Sequence, residues 1–406
     1  VNKVLGRNQT GNSKLVKQLN RQEILRKLRE NKRVSRADLA KLTELSRPCV
    51  SALVDEMMKE GLIHEVGVGE SKGGRKPILL EYNFQAYGVV GAIFEGSTLY
   101  MSIADLSGDL LVDYNFRLQQ PTNGDMAIRC LELGLQTLLS KSGFEKFRLL
   151  GIGLGLPGIT QRRDGTVSYA PSTGWMGLPV KQEIEARLGL PVVIDNDVNL
   201  MTLGEFHKGV GNGVKNQVYM YVGTGIGAGI ILDGQFYRGS REASGEIGYM
   251  MVGQAKKLNR GEYGVFERNY SVPVIQEKAR KVLPSLVEET GVIKQLIRHM
   301  EDGHVEAGRL LNDIYRHWAY GIANMVSILD PDLLILSGEM IDIEESGVEK
   351  IQGMLSEWVP YVPQIKLAAL GYKAGIIGAI HSVLEAFPVV NSNKIYLSGG
   401  YVNENK

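Results

Sequence analysis

The sequence predicts a mixed α/β chain in which a small basic helical module precedes a larger body. Three observations predict it. Charge is divided unevenly: residues 1–80 carry 17 Lys+Arg and 9 Asp+Glu, the other 326 carry 29 and 36. Apolar residues recur at helical spacing through the first sixty positions, then in two short runs around a Gly-rich loop. From Tyr87 onward, strand-like runs alternate with helical ones, the texture of an α/β fold. A chain of 406 residues exceeds one domain at roughly 100–200 residues each, so two or three are expected.

Each helix of the first module has its own local signal. Asn20–Glu30 carries an apolar stripe of Ile24, Leu25 and Leu28. Ser35 stands at an N-cap position with Asp38 three residues on, close to a capping box. Leu39, Ala40 and Leu42 are expected to bury the next short helix. Ser46 can cap a third, and Pro48 falls in its first turn, where a missing N–H costs little. Val50, Leu53, Val54 and Met57 lie at i, i+3, i+4 and i+7, so that face packs inward, and Gly61 ends the helix. Three short helices with a tight turn between the last two make a helix-turn-helix.

The third helix would enter a DNA major groove with its N-terminus leading. Arg47, Cys49 and Ser51 are then placed at the DNA. Arg47 is the candidate reader of a guanine edge, because a guanidinium matches its two acceptors. Leu62–Gly67 and Arg75–Leu80 flank the loop Gly69–Gly74, the pattern of a β-hairpin wing. Lys72, Arg75 and Lys76 would meet phosphates or the minor groove. A basic module on an acidic body suggests a polyanion partner for this part alone. A solvated basic face, or a three-helix interaction module, is the alternative.

The body reads as strands at Val89–Ala92, Tyr100–Ala104, Leu149–Gly155, Val192–Asp195, Gln217–Val222, Ile230–Leu232 and Leu333–Ser337. Helices are expected at Met126–Lys141, Val180–Leu188, Leu200–Phe206 and Glu306–Leu329. Several strands end in Gly or Asp, where ligand loops sit in such sheets. Gly223–Gly229 follows one strand and precedes another, so it is a hairpin turn that either cradles a ligand or is structural. Asp195–Asn199 follows Val192–Ile194. Its carboxylates and amides can bind hydroxyls or serve as a base; a helix N-cap cluster is the alternative. Glu242–Tyr249 is a second polar string amid glycines.

Together these features resemble the ROK family (repressors, open reading frames, kinases), in its xylose-repressor-like branch. The resemblance covers nearly the whole chain and is carried by Gly73–Pro77, Gly153–Gly158, Asn196-Asp197 with Gly204-Glu205, Gly223–Gly229 and Gly245–Gly248. It implies an α/β chain with an N-terminal winged helix-turn-helix followed by a two-lobed actin-like, ROK sugar-kinase-like fold. The implied domains are 1–82, 83–195 completed by a helix near 374–387, and 196–373. It also implies that Asn196, Asp197 and Glu246 bind sugar hydroxyls. Gly158 stands at the sugar's edge, Ser172 where an asparagine is usual, and Glu267 at the end of a cysteine-rich motif. Tyr249 replaces the usual histidine. Ionised acceptors make strong, directional bonds to hydroxyls.

Departures from the family pattern bear on activity. Family kinases carry Asp-x-Gly-Gly-Thr after the first strand; here the stretch is Ile93-Phe94-Glu95-Gly96-Ser97. Phosphoryl transfer is mostly positioning and charge neutralisation, so Ile93 and Glu95 should abolish it. Many members bind zinc through Cys-x-Cys-Gly-x-x-Gly-Cys-x-Glu. Leu258–Glu267 keeps the glycines and the glutamate but none of the three cysteines, so no metal is expected.

The resulting expectation is a non-enzymatic, sugar-released transcription repressor without a cofactor. Its expected partners are palindromic operator DNA and a small sugar, xylose or a related aldose or oligosaccharide. It would act as a homodimer or dimer of dimers. Two cysteines are too few for a disulfide framework, and no apolar run suits a membrane span or signal peptide. No membrane partner and a cytoplasmic location are therefore expected. The rival readings are a sugar kinase with a regulatory arm, and a repressor that senses a phosphotransferase-system protein.

Overall fold

Both predicted serine caps form. In the computed structural model, the Ser35 hydroxyl accepts from the Asp38 N–H at 3.2 Å and donates to the Asp38 carboxylate at 2.7 Å. The Ser46 hydroxyl accepts from the Cys49 N–H at 3.4 Å. The structure describes residues 13–70, 76–95, 98–118, 124–162, 164–169, 179–253, 262–287 and 291–387.

The first module is α1 (Ser13–Asn31), β1 (Arg33–Ser35), α2 (Arg36–Thr43), α3 (Arg47–Lys59), β2 (Ile63–Val68) and β3 (Ile78–Tyr82). Its strands form one antiparallel sheet in the order β1-β3-β2, which supplies the wing. Ile24, Leu25, Leu28, Leu39, Val50, Val54 and Met57 are fully buried and make its core. Leu42 does not join them. It is 41% exposed, because Leu39 and Ala40 already fill the inner side of this eight-residue helix. Helix α1 begins earlier than its stripe suggests: Leu15, Val16 and Leu19 are exposed and left no inward pattern to read.

Only residues 83–87 separate β3 from the next strand, and Phe84–Ala86 form a 3-10 turn. The body continues with β4 (Gly88–Glu95), β5 (Thr98–Ala104), β6 (Leu110–Arg117), α4 (Gly124–Ser142), β7 (Leu149–Leu156), β8 (Ile159–Gln161) and β9 (Thr166–Tyr169). Then come α5 (Val180–Leu188), β10 (Val192–Asn196) and α6 (Asp197–Lys208). One five-stranded sheet has the order β10-β7-β4-β5-β6. Its β10, β7 and β4 run parallel, and β5 and β6 run antiparallel to their neighbours.

The second sheet has the order β13-β12-β11-β14-β15. It is built from β11 (Gln217–Val222), β12 (Ile226–Leu232) and β13 (Gln235–Phe236). Helices α7 (Val265–Tyr270), α8 (Val272–Val282), α9 (Val292–Glu301) and α10 (Val305–Leu329) intervene. The sheet is completed by β14 (Leu333–Gly338) and β15 (Gln364–Leu367), with α11 (Glu344–Trp358) between them. Phe266, Tyr315, Trp318, Ile351 and Leu355 are buried where α7, α10 and α11 pack together.

Helix α12 (Lys373–Ala386) returns to the first sheet and packs on β4 and β7, while α6 lies along it. Close backbone approach makes this possible. A Cβ at Gly153 would stand 2.1 Å from the Ala379 carbonyl oxygen, and one at Gly204 only 1.9 Å from that of Ala374. A side chain at Gly153 would push α12 off β7, and one at Gly204 would push α6 and α12 apart.

Candidate functional site

The sheet ends converge on one cleft. β7 ends at Leu156 and passes into Pro157-Gly158, while the parallel β10 ends at Asn196. Strand ends in α/β sheets are where ligand loops gather. The hairpin between β11 and β12 and the segment Glu242–Tyr249 close the other side. The space between them is about 880 Å³, including its solvent-open mouth.

Six of the seven expected sugar contacts line this cleft: Gly158, Asn196, Asp197, Glu246, Tyr249 and Glu267. Ser172 lies outside the described residues. Asn196 caps α6 by accepting from the Asn199 N–H at 3.1 Å, and its amide donates to the Gly158 carbonyl at 3.0 Å. The N-cap reading of this cluster is thus observed, and the same residues line the cleft. One Asp197 carboxylate oxygen accepts from the Val198 N–H at 2.9 Å. Glu267, on α7, accepts from the Ile226 N–H at 2.9 Å, which fixes it against the glycine hairpin. Tyr249 stands at the rim, its hydroxyl donating to the Glu262 carbonyl at 3.4 Å.

The cleft is strongly acidic. Burial pushes the Asp197 carboxyl up to about 7; Glu95 and Glu246 add repulsion, and the Val198 N–H opposes it. Burial, then Glu267, likewise raises Glu246 to about 7. Glu267 and Glu95 are raised by burial too. Such groups suit sugar hydroxyls, which donate to carboxylates and relieve the desolvation.

Distant segments supply further contributors: Thr224, Glu242 and Ser244 fall in the glycine hairpin and polar string already singled out, whereas Tyr221 and Tyr263 had no role assigned. Tyr221, Thr224, Ser244 and Tyr263 also line the cleft. Glu242 does so from a left-handed backbone, φ 54°, and accepts from the Arg162 N–H of the β8–β9 hairpin at 2.5 Å. Beside it, Arg238 pairs with the buried Asp195 at 2.6 Å. These two contacts join the β8–β9 hairpin and β10 to the segment that follows β13. Contacts at such separation leave no local sequence signal; only the positive φ of Glu242 marks a special position.

The phosphate-loop positions differ in character. Ile93 is fully buried between Gly155 and Gly375, so an apolar side chain fills that space. Gly96 and Ser97 lie outside the described residues. At the third cysteine position of the family's zinc motif, Val265 is buried and apolar and cannot ligate zinc. Leu258 and Arg260, at the other two positions, lie outside the described residues.

On the first module, α3 presents Arg47, Pro48, Ala52, Asp55 and Lys59 outward. Arg47 is exposed in the first turn of α3. Cys49 is half-buried against the module core and faces Asn20 of α1, Sγ to amide nitrogen 4.0 Å. Its position on the helix rotates it towards the packed flank. Ser51 is also half-buried, and its carbonyl accepts from Arg36 at 3.4 Å. Arg36 also pairs with Asp55 at 2.7 Å, which neutralises the one acid on this outer face. Lys76 is exposed at the base of the wing, whereas Lys72 and Arg75 lie outside the described residues.

Comparison with known proteins decides the family. A model of the ROK family matches residues 98–386, and a winged helix-turn-helix DNA-binding model matches residues 18–64. The chain belongs to the ROK family. It is 28% identical to the xylose repressor of Caldicellulosiruptor bescii, over 92% of this chain and 97% of that protein. It is also 28% identical to the glucokinase of Halalkalibacterium halodurans, over 71% of this chain and 92% of the enzyme. A solved structure of a ROK family transcriptional regulator, a homologue of the Escherichia coli MLC protein, superposes with a TM-score of 0.73. It is 22% identical and covers 93% of this chain and 98% of its own. The fold is thus a winged helix-turn-helix joined to the ROK α/β architecture. Among the described residues, no helix is long and apolar enough to cross a membrane.

Proposed function

We propose that this protein is a sugar-responsive, DNA-binding transcription repressor of carbohydrate-utilisation genes, released from its operator by a sugar. One observation carries this reading. A winged helix stands five residues from a body in which Asn196, Asp197, Glu246 and Glu267 face one cleft. The repressor relative named above matches both parts, whereas the glucokinase relative matches a shorter share of this chain. The effector class is a neutral sugar, with xylose or a related aldose first in line.

On this reading, Arg47 reads base edges, Cys49 and Ser51 lie near the DNA, and Lys76 meets its backbone. Gly158, Asn196, Asp197, Glu246, Tyr249 and Glu267 hold the sugar. Asp197 is a ligand for a hydroxyl, not a base, because Ile93 leaves no carboxylate to organise a metal-bound phosphate. Two copies would place two winged helices on a palindromic operator, with half-sites about one helical turn or a multiple apart. The sugar favours a lobe arrangement in which that spacing is wrong, so DNA affinity falls.

The test is fluorescence-polarisation binding to DNA from the upstream region of its own gene, at fixed salt, against a panel of free sugars. Specific binding released by one sugar supports the reading. Sugar-dependent ATP turnover at a rate typical of kinases would replace it with the enzyme reading. Specific binding that no sugar changes, but a protein partner does, would replace the sugar by that partner.

A further inference from the structure

We propose that Arg148 is the positioning residue that transmits the state of the sugar cleft to the recognition helix α3. The transmitted signal rests on the repressor reading; the contact itself does not. Arg148 ends the 3-10 turn Lys146–Arg148, immediately before β7. Its Nη1 donates to the Glu60 carbonyl at 3.3 Å and to the Ala86 carbonyl at 3.4 Å. Its guanidinium also lies over the Tyr87 ring, 5.6 Å from the centroid.

Each contact falls on a part that must move if the first module moves. Glu60 is the C-cap of α3. The last carbonyls of a helix lack intrahelical partners and carry partial negative charge, so a cation there is a natural cap. Here the cap comes from the body of the protein, 88 residues away. Ala86 belongs to the junction turn. The Glu60 carboxylate is held from the other side by Arg21 of α1, at 2.9 and 2.5 Å. Asn83 completes the joint, its amide donating to the Gly61 carbonyl and its N–H to the Leu62 carbonyl, both at 2.8 Å.

The other end of the same strand is the sugar loop. All eight residues of β7 are buried, and the strand is hydrogen-bonded on both edges, to β10 and β4. Eight strand residues span about 26 Å. Beyond Leu156 comes Gly158, whose carbonyl accepts from the Asn196 amide. A sugar that draws on Asn196 thus acts on one end of a stiff central strand, and Arg148 grips α3 at the other. Spatial intermediacy alone does not establish coupling, so the measurement must read coupling itself.

The experiment compares full-length wild type, Arg148→Ala and Arg148→Lys. Operator affinity is read by fluorescence polarisation with and without D-xylose, and D-xylose affinity by calorimetry. Deuterium uptake is followed across residues 56–62. In wild type the sugar weakens operator binding by a coupling factor, commonly about 5–150-fold. Arg148→Ala is expected to bring that factor to within about twofold of unity while D-xylose affinity stays unchanged. Arg148→Lys retains a charge but not the forked donor, and is expected to keep an intermediate factor. A purely structural role would lower stability without moving the coupling factor, and a full wild-type factor in Arg148→Ala overturns the proposal. If D-xylose fails to release the wild type, the effector reading is what fails, and deuterium uptake then decides for the clamp. Faster uptake at 56–62 in Arg148→Ala, with unchanged uptake across the α1 core at 24–28, supports it. Unchanged uptake at 56–62 overturns it.

Discussion

Replacing Asp197 by asparagine should make the protein more stable and less able to bind sugar. The two signs have one cause. Asp197 sits in the cleft with a carboxyl raised to about 7 from an ordinary 3.8, first by burial and then by Glu95 and Glu246. In the folded state the proton is held more tightly than in the unfolded chain. Stability is therefore lost as pH rises from about 4 to 7, and the loss is complete above that window. Each pH unit between those values is worth about 1.4 kcal/mol, so the ionised group costs the free protein up to about 4 kcal/mol at pH 8. Asparagine keeps an oxygen for the Val198 N–H, now 2.9 Å away, and removes the charge. The gain should shrink as pH falls towards 4. A hydrogen bond to a charged acceptor contributes about 1.5–3 kcal/mol, so sugar affinity should fall about 10–150-fold. Thermal melts and calorimetry at pH 6 and pH 8 measure both effects. Lower stability in Asp197→Asn at pH 8, with unchanged sugar affinity, would refute the reasoning.

Sugar binding to wild type should itself follow pH. Hydroxyls donate to ionised carboxylates, so affinity should be full above about 7 and fall as pH drops through it, by at most about tenfold per unit for each of Asp197 and Glu246; calorimetry from pH 5.5 to 8.5 tests this, and a flat profile contradicts it. Arg47→Ala should cost about 1–3 kcal/mol on the specific operator and little on random DNA. Lys76→Ala should weaken both and lower the salt slope by about 1, as salt-series polarisation can show. Gly204→Ala should destabilise by about 3 kcal/mol or more, because its new Cβ would meet the Ala374 carbonyl at 1.9 Å. Gly353→Ala, in open space on α11, should instead stabilise by about 0.5–1 kcal/mol, both read from denaturant melts.

What the sequence makes legible is local. Ser35, Ser46 and Pro48 act within a few residues of themselves, and the helix starts they signal are the ones observed. The buried strands Leu149–Leu156 and Gln217–Val222 are nearly continuous apolar runs, as strands covered on both faces must be. Strand β15 has four residues and β6 has an exposed outer side, so neither stands out from loop composition. The Asn196-Asp197 pair is visible because cap and ligand chemistry share the residues that follow a strand. The contact of Glu242 with Arg162 is not visible, because it bridges 80 residues of sequence. The half-burial of Cys49 is not visible for a different reason. A short helix offers few turns on which to fix its phase, and Cys49 lies at the margin between packed and open faces.

The central claim is that sugar and DNA compete through one molecule, and reciprocity tests it most directly. Sugar affinity is measured by calorimetry on the free protein and on the protein saturated with its operator duplex. The account predicts weaker sugar binding on DNA, by the same factor by which the sugar weakens operator binding. Equal sugar affinity in the two states would contradict it.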